Sequence, residues 1–194
     1  MPRAVDSDER RQEITDAAAR LIARSGLGAA TMRDVAAEAG WTTGTVTHYF
    51  ADKRELLLHT LQASLANRRR QRPSREAEGP ARALRVALAG ALPLDDGSRQ
   101  HWMVTVAFCA QASGDPELAA VQRDAYREFR SEVARLVARC LGVRGAEARA
   151  VAERLIAFAD GIAMQALFDP ASWPPSHQLD ELDRTLANWV PAVP

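Results

Sequence analysis

Lysine is almost missing from this chain. Of its 25 basic residues 24 are arginine, and Lys53 is the single lysine. Alanine occurs 38 times. The Arg–Ala pairing reads as a GC-rich coding region more than a physical demand, which singles out Lys53. Cysteine is sparse as well: Cys109 and Cys140, with no C-x-x-C. That sparseness, with no apolar leader after Met1-Pro2-Arg3, predicts a protein of the reducing cytoplasm, while a Cys109–Cys140 disulfide is left open by the sequence. No charge-free run reaches about 18 residues, so no membrane span is expected. A hydrophobic content of 47% excludes low-complexity disorder. Enzyme signatures are missing too, with no G-x-x-x-x-G-K, H-E-x-x-H or G-x-S-x-G. His48, His59, His101 and His177 lack close metal-ligand spacing, and His101 with Cys109 supplies only two ligands. Neither catalysis nor a metal or other cofactor is expected.

A net charge of zero hides an asymmetry. Residues 1–75 hold 13 basic and 9 acidic side chains, a net of +4, whereas residues 76–194 hold 12 and 16, a net of −4. A basic front fits a polyanion partner and an acidic back fits a different task.

The apolar pattern is helical nearly throughout. Ile14, Ala17, Ala18, Leu21 and Ile22 follow the i, i+3, i+4 rule and place an amphipathic helix over 8–25, ended by Gly26 and Gly28. Thr31-Met32-Arg33-Asp34 reads as a capping box, with Thr31 as N-cap and Asp34 reaching back. Val35, Ala36 and Ala39 face inward, and Gly40 stops that helix. Trp41–Phe50 favours a strand by local propensity. No second strand-like run exists to pair with it, so a short third helix is predicted, capped by Thr42 or Thr43. Asp52-Lys53-Arg54-Glu55 opens a fourth helix through Leu56, Leu57, Leu61 and Leu65. Arg68-Arg69-Arg70 suit its C-terminal dipole, and Pro73 prevents continuation. After a polar boundary at 71–80, helices are expected over 80–92, 98–113, 116–141, 145–168 and 176–190. The fold class is therefore all-α with about nine helices. It divides into residues 8–68 and residues 76–194.

Residues 31–50 have the makings of a helix-turn-helix: a capped helix, a glycine turn and a short helix. That second helix begins with small hydroxyl residues and ends with hydrogen-bonding aromatics. Such a helix suits the major groove of DNA. Gly44 permits close backbone approach. His48 and Tyr49 are able to donate to phosphate oxygens, and Lys53 stands at the positive end of the next helix.

The run from Thr31 to Gly40, then Thr43-Gly44-Thr45-Val46, His48-Tyr49-Phe50, Asp52-Lys53 and Leu56-Leu57, resembles the DNA-binding signature of the tetracycline-repressor family. The preceding helix with Ile14, Ala17 and Leu21 matches as well. The resemblance implies an all-helical homodimeric repressor with an N-terminal three-helix DNA-binding domain and a C-terminal helical domain for a small effector and dimerisation. It assigns Thr31, Thr42, His48, Tyr49 and Lys53 to phosphates. It assigns Arg33, Thr43, Gly44, Thr45 and Thr47 to base edges or the groove wall. Relatives often carry an aromatic at Thr47 and a basic or polar residue at Thr43, so this recognition helix is smaller and more neutral. Farther on, Asp160-Gly161, Gln165-Ala166-Leu167, Asp169-Pro170, Trp173-Pro174-Pro175 and Gln178-Leu179 resemble the subgroup of the choline-responsive betaine-pathway repressor.

Two further sites are expected. An effector pocket is placed at Trp102, Val106, Cys109, Tyr126, Phe129 and Phe158, with Gln111, Arg130 or Asp160 as polar contacts. A two-fold interface is placed at Leu155, Ala159, Ile162, Ala163, Ala166, Leu179, Leu182 and Leu186, small and apolar positions on two helices. The partners expected are an operator duplex, a second copy of the chain and an unidentified small effector, with no membrane. An architectural DNA binder without effector is the alternative reading, and an enzyme is a remote one.

Overall fold

A computed structural model describes residues 4–71, 79–112 and 114–189. Met1-Pro2-Arg3, most of the polar boundary including Arg72 and Pro73, and Val190 lie outside them. The described residues form nine α-helices and no strand. They are α1 (Ala4–Ala29), α2 (Met32–Ala39), α3 (Thr43–Tyr49), α4 (Lys53–Gln71), α5 (Pro80–Ala89), α6 (Asp96–Ala112), α7 (Pro116–Leu141), α8 (Ala146–Phe168) and α9 (Pro175–Trp189).

Residues group into two compact units. The first comprises the chain up to Arg68 together with Gln100–Val121, and the second comprises Arg69–Arg99 and the chain from Gln122 onward. The units do not follow the linear division at 68 and 76, because most of α6 and the start of α7 group with the first.

The first unit is built on local stop and start signals. Gly26, at φ 76° and ψ 171°, breaks α1 near its end, a conformation that needs glycine. Gly40 closes α2 in the left-handed region at φ 74°. Its N–H bonds the Ala37 carbonyl at 3.2 Å and the Trp41 N–H bonds the Ala36 carbonyl at 2.8 Å, a Schellman closure. The turn after α3 is brief because Asp52 caps α4 by accepting the Glu55 N–H at 2.8 Å. Ile14, Ala18 and Ile22 of α1, Val35 of α2, Val46 of α3, Phe50, and Leu56 and Leu61 of α4 share one buried cluster with Val104 and Phe108 of α6 and Leu118 of α7. Val46 and Phe50 thus lie with Val35 and Leu21, as their spacing requires.

The second unit has its own core. Leu84 and Leu88 of α5, Phe129, Val133 and Val137 of α7, Leu155 and Ile156 of α8, and Leu182 and Leu186 of α9 form it. The apolar run at 80–92 is helical only to Ala89. Ala91 and Leu92 instead bury their side chains from a turn, their N–H groups bonding the Leu88 and Ala89 carbonyls at 2.9 and 3.0 Å. Asp95 starts α6 two residues before the apolar pattern does. Its carboxylate accepts the Ser98 N–H at 2.7 Å, while the Ser98 hydroxyl accepts the Asp95 N–H at 3.0 Å.

Candidate nucleic-acid interface

Local caps present α2 and α3. The Thr31 hydroxyl oxygen accepts the Asp34 N–H at 3.2 Å and its proton goes to the Asp34 carboxylate. Asp34 does not reach the backbone N–H of Thr31, because that group already bonds the Ala29 carbonyl at 2.9 Å. The box at Asp52 shifts in the same way: Glu55 accepts from the Ala51 N–H at 2.7 Å. Thr42 is the N-cap of α3, accepting the Thr45 N–H at 3.1 Å, and its hydroxyl meets that of Thr45 at 2.9 Å.

With Val46 buried, α3 turns its other side outward. Arg33, Thr42, Thr43, Gly44, Thr47 and His48 are exposed, and Thr45, Tyr49 and Lys53 are half-buried. Thr47 donates to the Gly44 carbonyl at 3.1 Å, which holds its methyl in a set direction. The His48 and Tyr49 rings meet edge to face at 5.2 Å between centroids. Lys53 donates to the Leu27 carbonyl at 3.0 Å, tying α4 to the broken end of α1. An ammonium has three donors, so this tie leaves others for a phosphate. The ten residues expected at DNA lie on α2 and α3, at their N-caps and at the start of α4, within one unit.

Charged ties brace this face, and the sequence pattern had not singled them out. Arg20 and Arg24 of α1 hold Glu38 of α2 at 3.3 and 2.9 Å, and the hydrogen bond from Arg24 keeps the Glu38 carboxyl below its ordinary range. Trp41 donates its indole N–H to Glu13 at 3.3 Å, with the Arg10 guanidinium 5.5 Å from its ring centroid. Arg11 pairs with Glu55 at 3.1 Å and stands 4.6 Å from the Phe50 ring centroid. Thr15 gives its proton to the Arg11 carbonyl at 2.7 Å, so at the 3.1 Å contact with His59 Nδ1 the ring is the donor. Burial, with Arg11 second, lowers the His59 pKa. Arg54 grips Asp115 through two nitrogens at 3.1 and 3.2 Å and Glu117 at 2.7 Å.

The residues expected around an effector divide between the units. Trp102, Val106 and Cys109 belong to the first; Tyr126, Phe129 and Phe158 belong to the second. Trp102 is buried and Val106 half-buried, but Cys109 is exposed, one position past the inward face marked by Thr105 and Phe108. Phe129 is part of the apolar core, and Phe158 points outward because its neighbours Ile156 and Ala159 take the inward face of α8. Of the polar residues named with them, Gln111 and Arg130 are exposed. Asp160 is half-buried and accepts the Tyr126 hydroxyl at 3.0 Å. Neither cysteine is in a disulfide.

The residues expected at a two-fold interface face inward. Leu155, Ala159, Ile162, Ala163, Ala166, Leu182 and Leu186 are all buried within the single chain, and Leu179 is half-buried. Periodicity identifies a buried face but not whose core it enters. The outward face of α8 carries Arg154, Ala157, Phe158, Gly161, Gln165 and Phe168, with Phe168 78% exposed. Among the described residues no helix is long and apolar enough to cross a membrane, and no cluster of three His, Cys, Asp or Glu side chains is placed to hold a metal.

Known proteins share this arrangement. Residues 14–60 match the family described as bacterial regulatory proteins, tetR family, and residues 80–191 match the BetI-type transcriptional repressor, C-terminal family. The HTH-type transcriptional regulator PksA of Bacillus subtilis is 29% identical, across 88% of this chain and 84% of its own. The HTH-type transcriptional regulator BetI of Burkholderia cenocepacia is 32% identical, across 84% of each chain. Among solved structures, a transcriptional regulator from Rhodococcus superposes with a TM-score of 0.84 at 29% identity, covering 95% of this chain and 99% of its own. A protein from Saccharomonospora viridis, solved in complex with choline, superposes with a TM-score of 0.82 at 26% identity, covering 92% and 96%. The chain belongs to the tetracycline-repressor family of DNA-binding transcriptional regulators, with a C-terminal part of the BetI type.

Proposed function

We propose that the protein is a cytoplasmic homodimeric repressor that holds a pseudo-palindromic operator through paired α3 helices and lets go when a small effector binds. It acts by binding and not by catalysis. The observation that carries this reading is the two-sidedness of α3: Val46 is fully buried while Thr43, Thr47 and His48 face solvent, as does Arg33 of α2. Thr43, Gly44, Thr45, Thr47 and Arg33 read bases or the groove wall. Thr31, Thr42, His48, Tyr49 and Lys53 bind phosphates. Residues 8–68 make the DNA-binding segment, and residues 76–194 serve effector binding and dimerisation.

The partner chain meets the outward stripe of α8 around Phe158, Gly161, Gln165 and Phe168, extended by α9. An exposed phenylalanine pair is better stabilised against a second copy than in water. Two-fold symmetry sets the recognition helices about one DNA turn, ~34–36 Å, apart. The choline held by the Saccharomonospora protein supports a small organic effector. Mutual exclusion then follows from linkage: the effector weakens DNA binding, and DNA weakens effector binding by the same factor.

The test is selection of duplexes from a random-sequence pool, followed by footprinting and sedimentation of the complex. One short inverted repeat holding two chains supports the reading. Uniform coating of DNA, as by an architectural protein, overturns it.

A further inference from the structure

In the second unit two polar groups meet under unusual terms, and a third stands one helical turn away on α7. The Tyr126 hydroxyl of α7 donates to an Asp160 carboxylate oxygen of α8 at 3.0 Å. Among the described residues no cation pairs with Asp160. Elsewhere in the same unit Arg85 grips Asp183 with two hydrogen bonds of 2.6 and 2.8 Å. Burial pushes the Asp160 carboxyl above its ordinary range. One turn before Tyr126, on the same side of α7, the Gln122 side-chain oxygen is shielded from solvent and has no hydrogen-bond partner among the described residues.

The chemistry of this set is one-sided. A carboxylate and an amide oxygen both accept, and the one proton that Tyr126 offers is already given to Asp160. A buried acceptor left without a donor is costly, and a buried carboxylate without a cation more so. The complement is a ligand that is positive and rich in N–H groups.

We propose that Asp160, Gln122 and Tyr126 form the recognition point for a protonated primary or secondary amine. One ammonium N–H donates to Asp160 and another donor of the same ligand meets Gln122. The proposal rests on the effector-responsive reading above and names the class of effector. Anionic ligands are repelled by the carboxylate. A quaternary ammonium has no N–H to give and is held by a wall of aromatic faces. Here the ring at the carboxylate is Tyr126, whereas Phe129 belongs to the apolar core, Trp173 meets His177 at 4.7 Å and Trp189 lies under Arg154.

The experiment is calorimetric and thermal-shift titration of the full chain with n-butylammonium, diethylammonium, choline, tetramethylammonium and n-butanol at matched ionic strength and neutral pH. The ammonium ions bearing N–H groups are expected to bind at least about tenfold more tightly than the two quaternary ions, with n-butanol weaker still. Asp160→Asn should cost n-butylammonium about tenfold or more, and Gln122→Leu several-fold. Asn keeps the size of Asp and an acceptor for Tyr126, so the unliganded Asp160→Asn protein should melt at or above the wild-type temperature. Binding by choline or tetramethylammonium as tight as by n-butylammonium overturns the proposal. So does unchanged n-butylammonium affinity in Asp160→Asn, or no binding of either N–H ion. A parallel screen of neutral and anionic compounds separates the two readings. A hit there that releases DNA, with no amine binding, keeps effector control and removes the amine. An Asp160-dependent amine that leaves DNA affinity unchanged keeps the site and removes effector control.

Discussion

The two units differ in where they leave polar groups with work to do. In the first, the unspent groups point outward. Arg33 and Thr43 stand on an exposed face, while Arg11–Glu55, Arg24–Glu38 and Lys53–Leu27 brace the helices behind it. In the second, the unspent groups point inward: among the described residues the Gln122 oxygen is buried without a donor, and Asp160 is half-buried without a cation. An outward set on a rigid frame suits a large, preformed, polyanionic partner. An inward set suits a small molecule that brings its own donors.

The largest expected effects test the two cores. Phe50→Ala should cost ~3–5 kcal/mol and Leu155→Ala ~2–5 kcal/mol in urea unfolding. Phe50→Ala should also abolish DNA binding, since Phe50 follows α3 directly and lies in the same cluster as Val46. Retained DNA affinity in folded Phe50→Ala would break the link between that core and α3.

Lys53→Ala should weaken binding to all duplexes alike and reduce the slope of log affinity against log salt by roughly 1. The structure adds a second consequence. Loss of the bond to the Leu27 carbonyl frees the broken end of α1, which faster amide exchange at Ala30 and Thr31 should report. Thr42→Ala removes the α3 cap and should cost about 1 kcal/mol, recovered mostly by Thr42→Ser. The measurement is the melting temperature of the three proteins.

The smallest effect sharpens the comparison most, because the two units carry opposite pH signs. The folded-state pKa of His59 is depressed, so its folded state binds fewer protons than the unfolded chain. Stability from this group is present above about 6.5 and is lost as pH falls through that value toward the depressed one. The pKa of Asp160 is raised, so its folded state binds more protons. Stability from this group is present below about 3.9 and is lost as pH rises through the raised value. Melting temperature against pH should therefore respond in opposite directions to His59→Gln and Asp160→Asn, measured as differences from wild type. Parallel differences would show that one assignment of sign is wrong.

Much of the fold was legible because its signals are local. Thr31, Gly40, Thr42 and Asp52 mark helix ends within a few residues, and α3 is a helix despite its strand-like composition. With no other strand to bond, a helix is the way its backbone is satisfied. The exposed face of α3 followed from the same signals, because an exposed face is set by helix phase alone. The burial of the other expected residues did not follow as directly. Leu155, Ile162 and Leu186 have the periodicity of a contact face whether the neighbour is the same chain or another. Cys109 and Phe158 differ from inward residues by one or two positions, a difference that phase settles only when the packing direction is known. Nothing in the sequence marks Gln122, because α7 shows there as an apolar stripe. A buried orphan oxygen appears only when the surrounding helices are in place.

The central claim is that α3 reads DNA sequence through Thr43 and Thr47, and base-preference profiling tests it most directly. Wild type, Thr43→Arg and Thr47→Val are each used to select from one random duplex pool. The account predicts altered preference at a few positions, mirrored in both half-sites, with the spacing between half-sites unchanged. Profiles identical to wild type for both variants, at undiminished affinity, would contradict it.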